Sequence, residues 1–239
     1  MGNLNLVSFI FLVVLFVLLP RAALRSARQL RQAHVDGQAP PRLRMALSTM
    51  FSLTVLWFLA AINSAAYGKH LFSLGGLGLR EVGIGVIGFA LLLLTIPISR
   101  ALRKPDEDRR RLIFSLAPRN AREWVVYALI AVMAGIAEES AYRGVAVWIL
   151  TPIFGSPLPA MFLSAMAFGV AHAVQGAKAM AVVFFLALIL QGLVWMTNTL
   201  VIAMVAHAAY DLVAGYVLSQ RARELAAERV EDSAAATPG

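Results

Sequence analysis

The sequence contains no cysteine, and charged residues make up only 14% of its 239 positions. The first absence excludes disulfide bonds, thiolate zinc sites and a cysteine nucleophile. The low share of charged residues accompanies a hydrophobic content of 60%. This is more apolar surface than a soluble domain of this length would bury. No polar stretch exceeds roughly 25 residues, too short for a separate soluble domain. The composition therefore predicts an integral membrane protein.

Apolar runs long enough to cross a bilayer as helices recur along the chain. The first runs from Leu4 to Leu19, with no basic residue before it and arginines soon after it, the reverse of a cleavable signal peptide. We interpret it as an anchoring helix. The other predicted spans cover residues 45–66, 82–99, 124–150, 158–174, 179–196 and 200–219. The sequence thus predicts an all-α, polytopic transmembrane helix bundle of about seven spans, with a range of six to eight.

The net charge of +8 favours a membrane topology over nucleic-acid binding, because the basic residues lie between apolar runs. Of the 21 Lys and Arg residues, 18 fall on one predicted side, whereas only Lys69 and Arg80 fall on the other. Basic loops accumulate on the cytoplasmic side of membrane proteins. We therefore predict an outside N-terminus and a cytoplasmic C-terminus. The Ala- and Arg-rich composition suggests a bacterial source and hence the cytoplasmic (inner) membrane.

The predicted organisation has three regions. Residues 1–120 supply N-terminal membrane helices with Arg-rich cytoplasmic loops, and residues 121–219 form a core of four transmembrane helices. Residues 220–239 form a cytoplasmic tail, which we expect to be partly disordered because it is rich in Ala, Ser and Pro after Glu231.

Four arginines follow the first span at spacings of three and four residues: Arg21, Arg25, Arg28 and Arg31. If the span continues as a helix, these side chains share one face and lie against anionic lipid headgroups. The favoured interpretation is a topogenic one, in which they only orient the first span during insertion.

Ionisable residues inside the predicted spans indicate where chemistry takes place. Each such residue near the centre of a membrane helix costs at least about 2.5 to 3.5 kcal/mol, so it requires a partner or a function. They occur in the fourth, fifth and seventh spans: Glu138, Glu139 and Arg143, then His172, then His207 and Asp211. These six residues are the candidate site.

Spacing assigns first roles within this set. Glu139 and Arg143 are four residues apart on one helix, so we predict a charge-compensated pair that serves as scaffold and positions substrate. Glu138 lies about 100° around the same helix without such a neighbour and is assigned to chemistry. His207 and Asp211 are also four apart, which lets the carboxylate fix the tautomer of the imidazole.

Two kinds of hydrolytic chemistry fit these residues. In the favoured one, a Glu takes a proton from water, a His moves protons, and hydrogen-bond donors stabilise the oxyanion without any cofactor. Ser140 lacks a Gly-x-Ser-x-Gly frame, so water is the preferred nucleophile. In the alternative, zinc binds to Glu138, His172 and His207. The absence of a His-Glu-x-x-His motif favours the metal-free mechanism.

Three sequence blocks resemble the CAAX prenyl protease and bacteriocin-processing membrane peptidases, also called the type II CAAX or Abi family. Residues 138–144 resemble the family's Glu-Glu-x-x-aromatic-Arg-Gly, residues 168–172 resemble Phe-x-x-x-His, and residues 207–211 resemble His-x-x-x-Asn/Asp. The resemblance covers roughly residues 121–215. It implies that the four-helix core is a peptidase core whose substrate is a membrane-associated peptide or protein.

The resemblance also implies residue roles. Glu138 would activate water, His172 would assist it, and His207 with residue 211 would stabilise the oxyanion. The prenyl-protein branch has Asn at the last position, whereas this chain has Asp211. A carboxylate donates a hydrogen bond only when protonated, so we expect Asp211 to orient His207.

Two other functional classes use buried ionisable residues. A proton-coupled transporter needs intramembrane Glu and His, but transporters commonly contain paired halves, which this sequence lacks. A catalytically silent scaffold would bind a partner membrane protein through the same helices. Replacement of Glu138 by Ala separates the three: a peptidase loses cleavage, a transporter loses flux, and a scaffold keeps its function.

Overall fold

The computed structural model describes residues 4–36, 38, 41–74, 76–102 and 117–235. Within these residues the chain is almost entirely helical and contains no strand, which confirms the all-α prediction. The helices are α1 (Leu6–Val13), α2 (Leu19–Val35), α3 (Arg42–Ala66), α4 (Leu79–Ala101), α5 (Ala121–Glu138), α6 (Ala146–Phe154), α7 (Pro157–Ala171), α8 (Ala177–Thr197) and α9 (Leu200–Ala235).

Six helical rods of the described chain are long and apolar enough to cross a membrane: Leu6–Ala33, Arg42–Ala66, Leu79–Ala101, Ala121–Phe154, Ala177–Thr197 and Leu200–Glu228. The predicted fifth span corresponds to α7, which is apolar but only 15 residues long. Large apolar side chains remain exposed on the outer faces, such as Phe51 at 71% and Phe185 at 60%. Such surfaces require lipid, because water disfavours extended apolar patches. The outside N-terminus and cytoplasmic C-terminus stay predictions.

Contacts between helix ends gather the basic segments at one end of the bundle. Arg42 at the start of α3 pairs with Glu123 in the first turn of α5 at 2.8 Å. Lys178 in the first turn of α8 donates to the carbonyl of Leu102, directly after α4, at 2.9 Å. Ser219 of α9 donates to the backbone just before α5 at 2.6 Å. We call this side of the molecule the basic end.

Two π-helical segments interrupt the α-helical winding without breaking the rods. Val14–Leu18 joins α1 to α2, and Glu139–Val145 joins α5 to α6. A π segment has wider turns than an α-helix and is often found at functional sites. All seven residues of the second segment are buried, and Ser140 Oγ donates to the carbonyl of Ile136 at 2.7 Å. The directions of Glu138, Glu139 and Arg143 are set by this change in winding.

A glycine lets α5 and α9 approach closely beside the second π segment. A Cβ at Gly135 would lie 2.6 Å from the carbonyl oxygen of Met204, so any side chain there would push the helices apart. Glu138 follows Gly135 by three residues, and His207 follows Met204 by three. This contact therefore sets the separation between the acidic pair and the imidazole.

The helix α9 continues into the predicted tail, through Ala235, and the partial disorder expected of residues 220–239 stays a prediction. Its Ala, Arg and Glu residues are strong helix formers, and Arg221 pairs with Glu224 at 3.0 Å and with Glu228 at 3.3 Å. Residues 236–239 lie outside the described residues, as do residues 103–116, which carry five of the basic residues in the predicted topology.

Helices of the first two predicted regions pack together. The helix α3 packs against α5, and α4 packs against both α8 and α9. The largest core cluster also spans both regions and includes Phe11, Leu92, Phe168 and Leu190. The boundary after residue 120 stays a prediction about the organisation of the sequence, and the helices on either side of it share one core.

Candidate active site

The imidazole of His207 lies at the centre of the ionisable cluster. Its Nδ1 lies 2.7 Å from Oε1 of Glu139. Its Nε2 lies 3.7 Å from Oε2 of Glu138 and 3.6 Å from Oδ2 of Asp211. The α5 and α9 helices thus bring three carboxylates around one ring that is almost completely buried.

Glu139 and Arg143 form a buried ion pair behind His207. Nη1 of Arg143 lies 3.1 Å from Oε1 of Glu139, the same oxygen that contacts His207, and the two side chains are 2% and 0% exposed. The contact is an ion pair without hydrogen-bond alignment. Among the described residues, Oε2 of Glu139 and both terminal nitrogens of Arg143 have no hydrogen-bond partner. The pair expected from the four-residue spacing is present, and it also holds His207.

Glu139 fixes the tautomer of His207, a role that we expected of Asp211. An ionised carboxylate only accepts hydrogen bonds, so the close contact requires a proton on Nδ1. Asp211 lies on the other side of the ring, at a distance beyond a direct hydrogen bond. Sequence spacing reveals partners on the same helix only. Glu139 reaches His207 from another helix, where the close approach at Gly135 permits it.

His172 ends the α7 helix and faces the same region. It is the C-cap residue, with φ of −94° and ψ of 19°, and its Nδ1 lies 2.9 Å from the carbonyl oxygen of Phe168. A carbonyl oxygen only accepts, so Nδ1 donates and Nε2 is the proton acceptor of the neutral ring. His172 therefore offers an acceptor nitrogen near His207 and Asp211.

The ring of Phe168 connects the two histidines and the buried cation. Its centroid lies 4.6 Å from the ring of His172 and 6.1 Å from that of His207. The guanidinium of Arg143 lies 4.1 Å from the same centroid, a distance at which the ring quadrupole stabilises a cation. Phe168 entered the sequence-based prediction only as part of a motif. Its four-residue spacing from His172 was the available signal, since such residues share one helix face.

Two tyrosines that the sequence analysis did not single out fix α9 beside the site. The hydroxyl of Tyr127 donates to the backbone carbonyl of Asp211 at 3.1 Å, and its ring lies where a side chain at Gly215 would collide with it. The hydroxyl of Tyr210 lies 3.2 Å from Oγ1 of Thr95 in α4. Aromatic residues in apolar spans usually pack between helices, so composition gave no signal for these contacts.

A cavity of about 190 Å³ extends from the cluster to the basic end. His172, His207 and Asp211 line its inner part, and Arg100 and Arg221 line its outer part. The walls between them are apolar and include Leu92, Ile96, Val183, Leu186, Leu190 and Leu218. Along α9 the distance from His207 to Arg221 is roughly 21 Å, at 1.5 Å per residue. The cavity has room for several water molecules and an extended chain segment.

Three of the six predicted residues do not line this cavity: Glu138, Glu139 and Arg143. Glu138 is 18% exposed, and its Oε2 lies 3.7 Å from Nε2 of His207, which does line the cavity. Arg143 is buried behind Glu139, so it has no direct access to a molecule in the cavity. The substrate-positioning role expected of the Glu139 and Arg143 pair would therefore act through His207 and Phe168.

Metal binding was the mechanistic alternative for Glu138, His172 and His207. In the part of the chain that the structure describes, no group of three or more His, Asp and Glu residues is arranged to hold a metal ion. Protein zinc sites usually require at least three such ligands within about 2.0 to 2.2 Å of the ion.

Comparison with protein families yields one match, over residues 120–213, to the family described as type II CAAX prenyl endopeptidase Rce1-like. The matched segment begins at the N-cap of α5 and ends two residues after Asp211, so it contains all six candidate residues. No curated protein and no solved structure matches the chain.

Proposed function

We propose that the protein is a membrane peptidase that cleaves its substrate with glutamate-activated water, because residues 120–213 match the family described as type II CAAX prenyl endopeptidase Rce1-like. The substrate is a peptide or protein that is itself associated with the membrane. The observation that carries this proposal is the position of His207, whose Nδ1 is held by buried Glu139 while its Nε2 faces Glu138 and Asp211.

In the first step, Glu138 acts as the general base. Its carboxylate takes a proton from a water molecule as the water oxygen attacks the carbonyl carbon of the scissile peptide bond. The acceptor Nε2 of His172, whose ring lines the cavity together with His207 and Asp211, holds and directs the water. The carbonyl oxygen becomes an oxyanion and the carbon becomes tetrahedral.

His207 stabilises that oxyanion by donating from Nε2. Because Nδ1 already donates to Glu139, a second donor at Nε2 requires the protonated imidazole, and the surrounding carboxylates balance its charge. In the second step, Glu138 returns its proton to the amide nitrogen, and the oxyanion collapses as the C–N bond breaks. A carboxylic acid and an amine are released, and the acid then passes its proton to the amine. Asp211 keeps His207 directed towards the cavity.

The apolar walls of the cavity support a substrate with apolar groups next to the scissile bond. Residues of α4, α8 and α9 line the path by which a segment would enter from the basic end and reach His207. We further propose that the protein lies in a bacterial cytoplasmic membrane with its basic end in the cytoplasm.

The direct test is a survey of membrane peptides by mass spectrometry in cells that contain the wild-type protein or the Glu138→Ala variant. We expect at least one membrane-associated polypeptide to be cut only with the wild-type protein, and its new termini to define the scissile bond. Glu224→Ala, which changes an exposed carboxylate near the tail, is the matched control and should behave as wild type. Identical peptide profiles for wild type and Glu138→Ala would contradict proteolysis.

Metal dependence has its own test. Purified protein treated with a chelator and then passed into metal-free buffer should keep its cleavage rate on the substrate from that survey. Loss of cleavage on chelation and its recovery with zinc would replace glutamate catalysis by the zinc mechanism, with Glu138, His172 and His207 as ligands.

A further inference from the structure

The first membrane helix continues beyond the hydrophobic run as α2. The apolar run ends at Leu19, but the rod extends from Leu6 to Ala33 without interruption. Four arginines of this extension are all exposed: Arg21, Arg25, Arg28 and Arg31. At 100° per residue they occupy an arc of about 120°, and they extend over about 15 Å of the helix. We call this surface the arginine face.

The opposite side of α2 packs against the protein. Ala27 is 6% exposed, and α2 contacts both α7 and the short 3₁₀ helix Ala173–Gln175, which follows His172 directly. The arginine face therefore points away from the bundle. Its orientation is fixed by packing as well as by the continuity of the helix.

The arginine face has no counter-charge within the described protein. None of the ion pairs among the described residues involves these four side chains. The acidic residue that follows on the same helix, Asp36, accepts hydrogen bonds from Gln32 instead. Four guanidinium groups thus remain available, and the first of them lies two residues beyond the apolar run, where the hydrocarbon layer ends.

We propose that the arginine face binds the anionic phospholipid headgroups of the leaflet at the basic end. Guanidinium groups bind phosphate oxygens in a bidentate geometry. Each basic residue at the surface of an anionic leaflet raises the association constant by about fivefold. The headgroup layer is the anionic surface that α2 meets as it leaves the hydrocarbon. A topogenic role is compatible with this one, because it acts during insertion and the lipid contact persists afterwards.

Lipid binding at this face has a consequence for the candidate site. The same helix that holds the headgroups packs against the turn after His172. Headgroups bound along α2 would hold the helix against that turn, so the presence of anionic lipid should raise the resistance of the protein to unfolding.

The experiment uses purified full-length protein in neutral phosphatidylcholine micelles, to which phosphatidylglycerol is added in steps. Bound phosphatidylglycerol is counted by native mass spectrometry, and the thermal midpoint is measured at each step. The test variant carries R21Q, R25Q, R28Q and R31Q. The matched control removes four exposed arginines elsewhere at the basic end: R44Q, R119Q, R122Q and R223Q. A third variant replaces the four arginines of the face with lysine.

We expect wild type and the matched control to retain phosphatidylglycerol and to gain thermal stability, and the test variant to lose at least tenfold in apparent affinity. The lysine variant should retain most of the effect, because it keeps the charge. The proposal would be overturned if the test variant and the matched control bound phosphatidylglycerol equally. It would also be overturned if soluble phosphate at the same concentration raised the thermal midpoint of the wild-type protein as much as phosphatidylglycerol does. If the fourfold variant does not fold, R25Q/R28Q against R119Q/R122Q gives the same comparison with a smaller difference.

Discussion

The two sides of the His207 ring differ in what surrounds them. On the Nδ1 side, Glu139 and Arg143 are 0% and 2% exposed and compensate each other. On the Nε2 side, Glu138 and Asp211 are 18% and 30% exposed and have no cation other than the imidazole within ion-pair distance among the described residues. The Nδ1 side, which we call the sealed side, is suited to supporting His207, because its charges are already balanced. The Nε2 side, which we call the open side, is suited to catalysis, because its groups remain available to a substrate.

This comparison separates stability from cleavage. Changes on the sealed side should affect both quantities, since they leave an uncompensated charge in the interior. Changes on the open side should affect cleavage alone. The measurements that follow use the substrate identified by the peptide survey and reversible unfolding in mixed micelles.

The largest effect on cleavage is expected for Glu138→Gln. The amide has the shape of the carboxylate but cannot take a proton from water, so the cleavage rate should fall by about 10² to 10⁴. The free energy of unfolding should change by less than about 0.5 kcal/mol, because the Glu138 side chain is partly exposed and the amide keeps its size. A variant that is inactive because it is unfolded would not support the assignment, and unchanged cleavage would remove Glu138 from the mechanism.

The next effect is expected for Glu139→Ala, which acts on both quantities. It leaves Arg143 buried without its partner, which should destabilise the protein by about 3 to 5 kcal/mol. It also frees Nδ1 of His207, and loss of such a supporting partner lowers activity by about 10- to 100-fold. The double variant Glu139→Ala, Arg143→Met should regain most of the stability and little of the cleavage.

The matched control for that loss is the partly exposed pair of Arg42 and Glu123. Its side chains are 29% and 35% exposed, so Glu123→Ala should cost about 1 kcal/mol or less. A loss as large as that of Glu139→Ala would show that burial does not distinguish the two pairs. Full cleavage by the double variant would contradict the supporting role of Glu139.

A smaller effect is expected for Asp211→Asn. The amide keeps the size of the side chain and still presents an acceptor oxygen towards His207, so cleavage should change by less than about tenfold. Stability should remain the same. A loss as large as that of Glu138→Gln would identify Asp211 as the general base, and the roles on the open side would exchange.

The smallest effect is expected for Tyr127→Phe. It removes one hydrogen bond to the backbone of Asp211 and leaves the ring against Gly215, so the unfolding free energy should fall by about 0.5 to 1.5 kcal/mol. Cleavage should fall only about twofold. A loss of tenfold or more would mean that this contact sets the position of Asp211 and His207 more strongly than the packing of α9 does.

The spans and the six candidate residues could be predicted from the sequence because both depend on local patterns. Apolar runs mark the helices, and an ionisable residue inside such a run is conspicuous wherever it occurs. The spacing of Glu139 and Arg143 also predicted their ion pair, since residues four apart on a helix are neighbours.

The partner of His207 could not be predicted from the sequence. Spacing pointed to Asp211 on the same helix, but Glu139 reaches the ring from α5. That contact depends on a π segment, which changes the direction of the side chains, and on Gly135, which brings two helices together.

The length of α7 has a further consequence. Its 15 residues span about 22 Å, whereas the hydrocarbon layer of a typical bilayer is about 30 Å thick. Hydrophobic mismatch of this kind is relieved by local thinning of the bilayer around the short helix. His172, which ends that helix, would then lie where the thinned leaflet gives way to water. The thickness of the bilayer would therefore control the hydration of the site. Lipids with longer acyl chains should slow cleavage although no residue of the protein is changed.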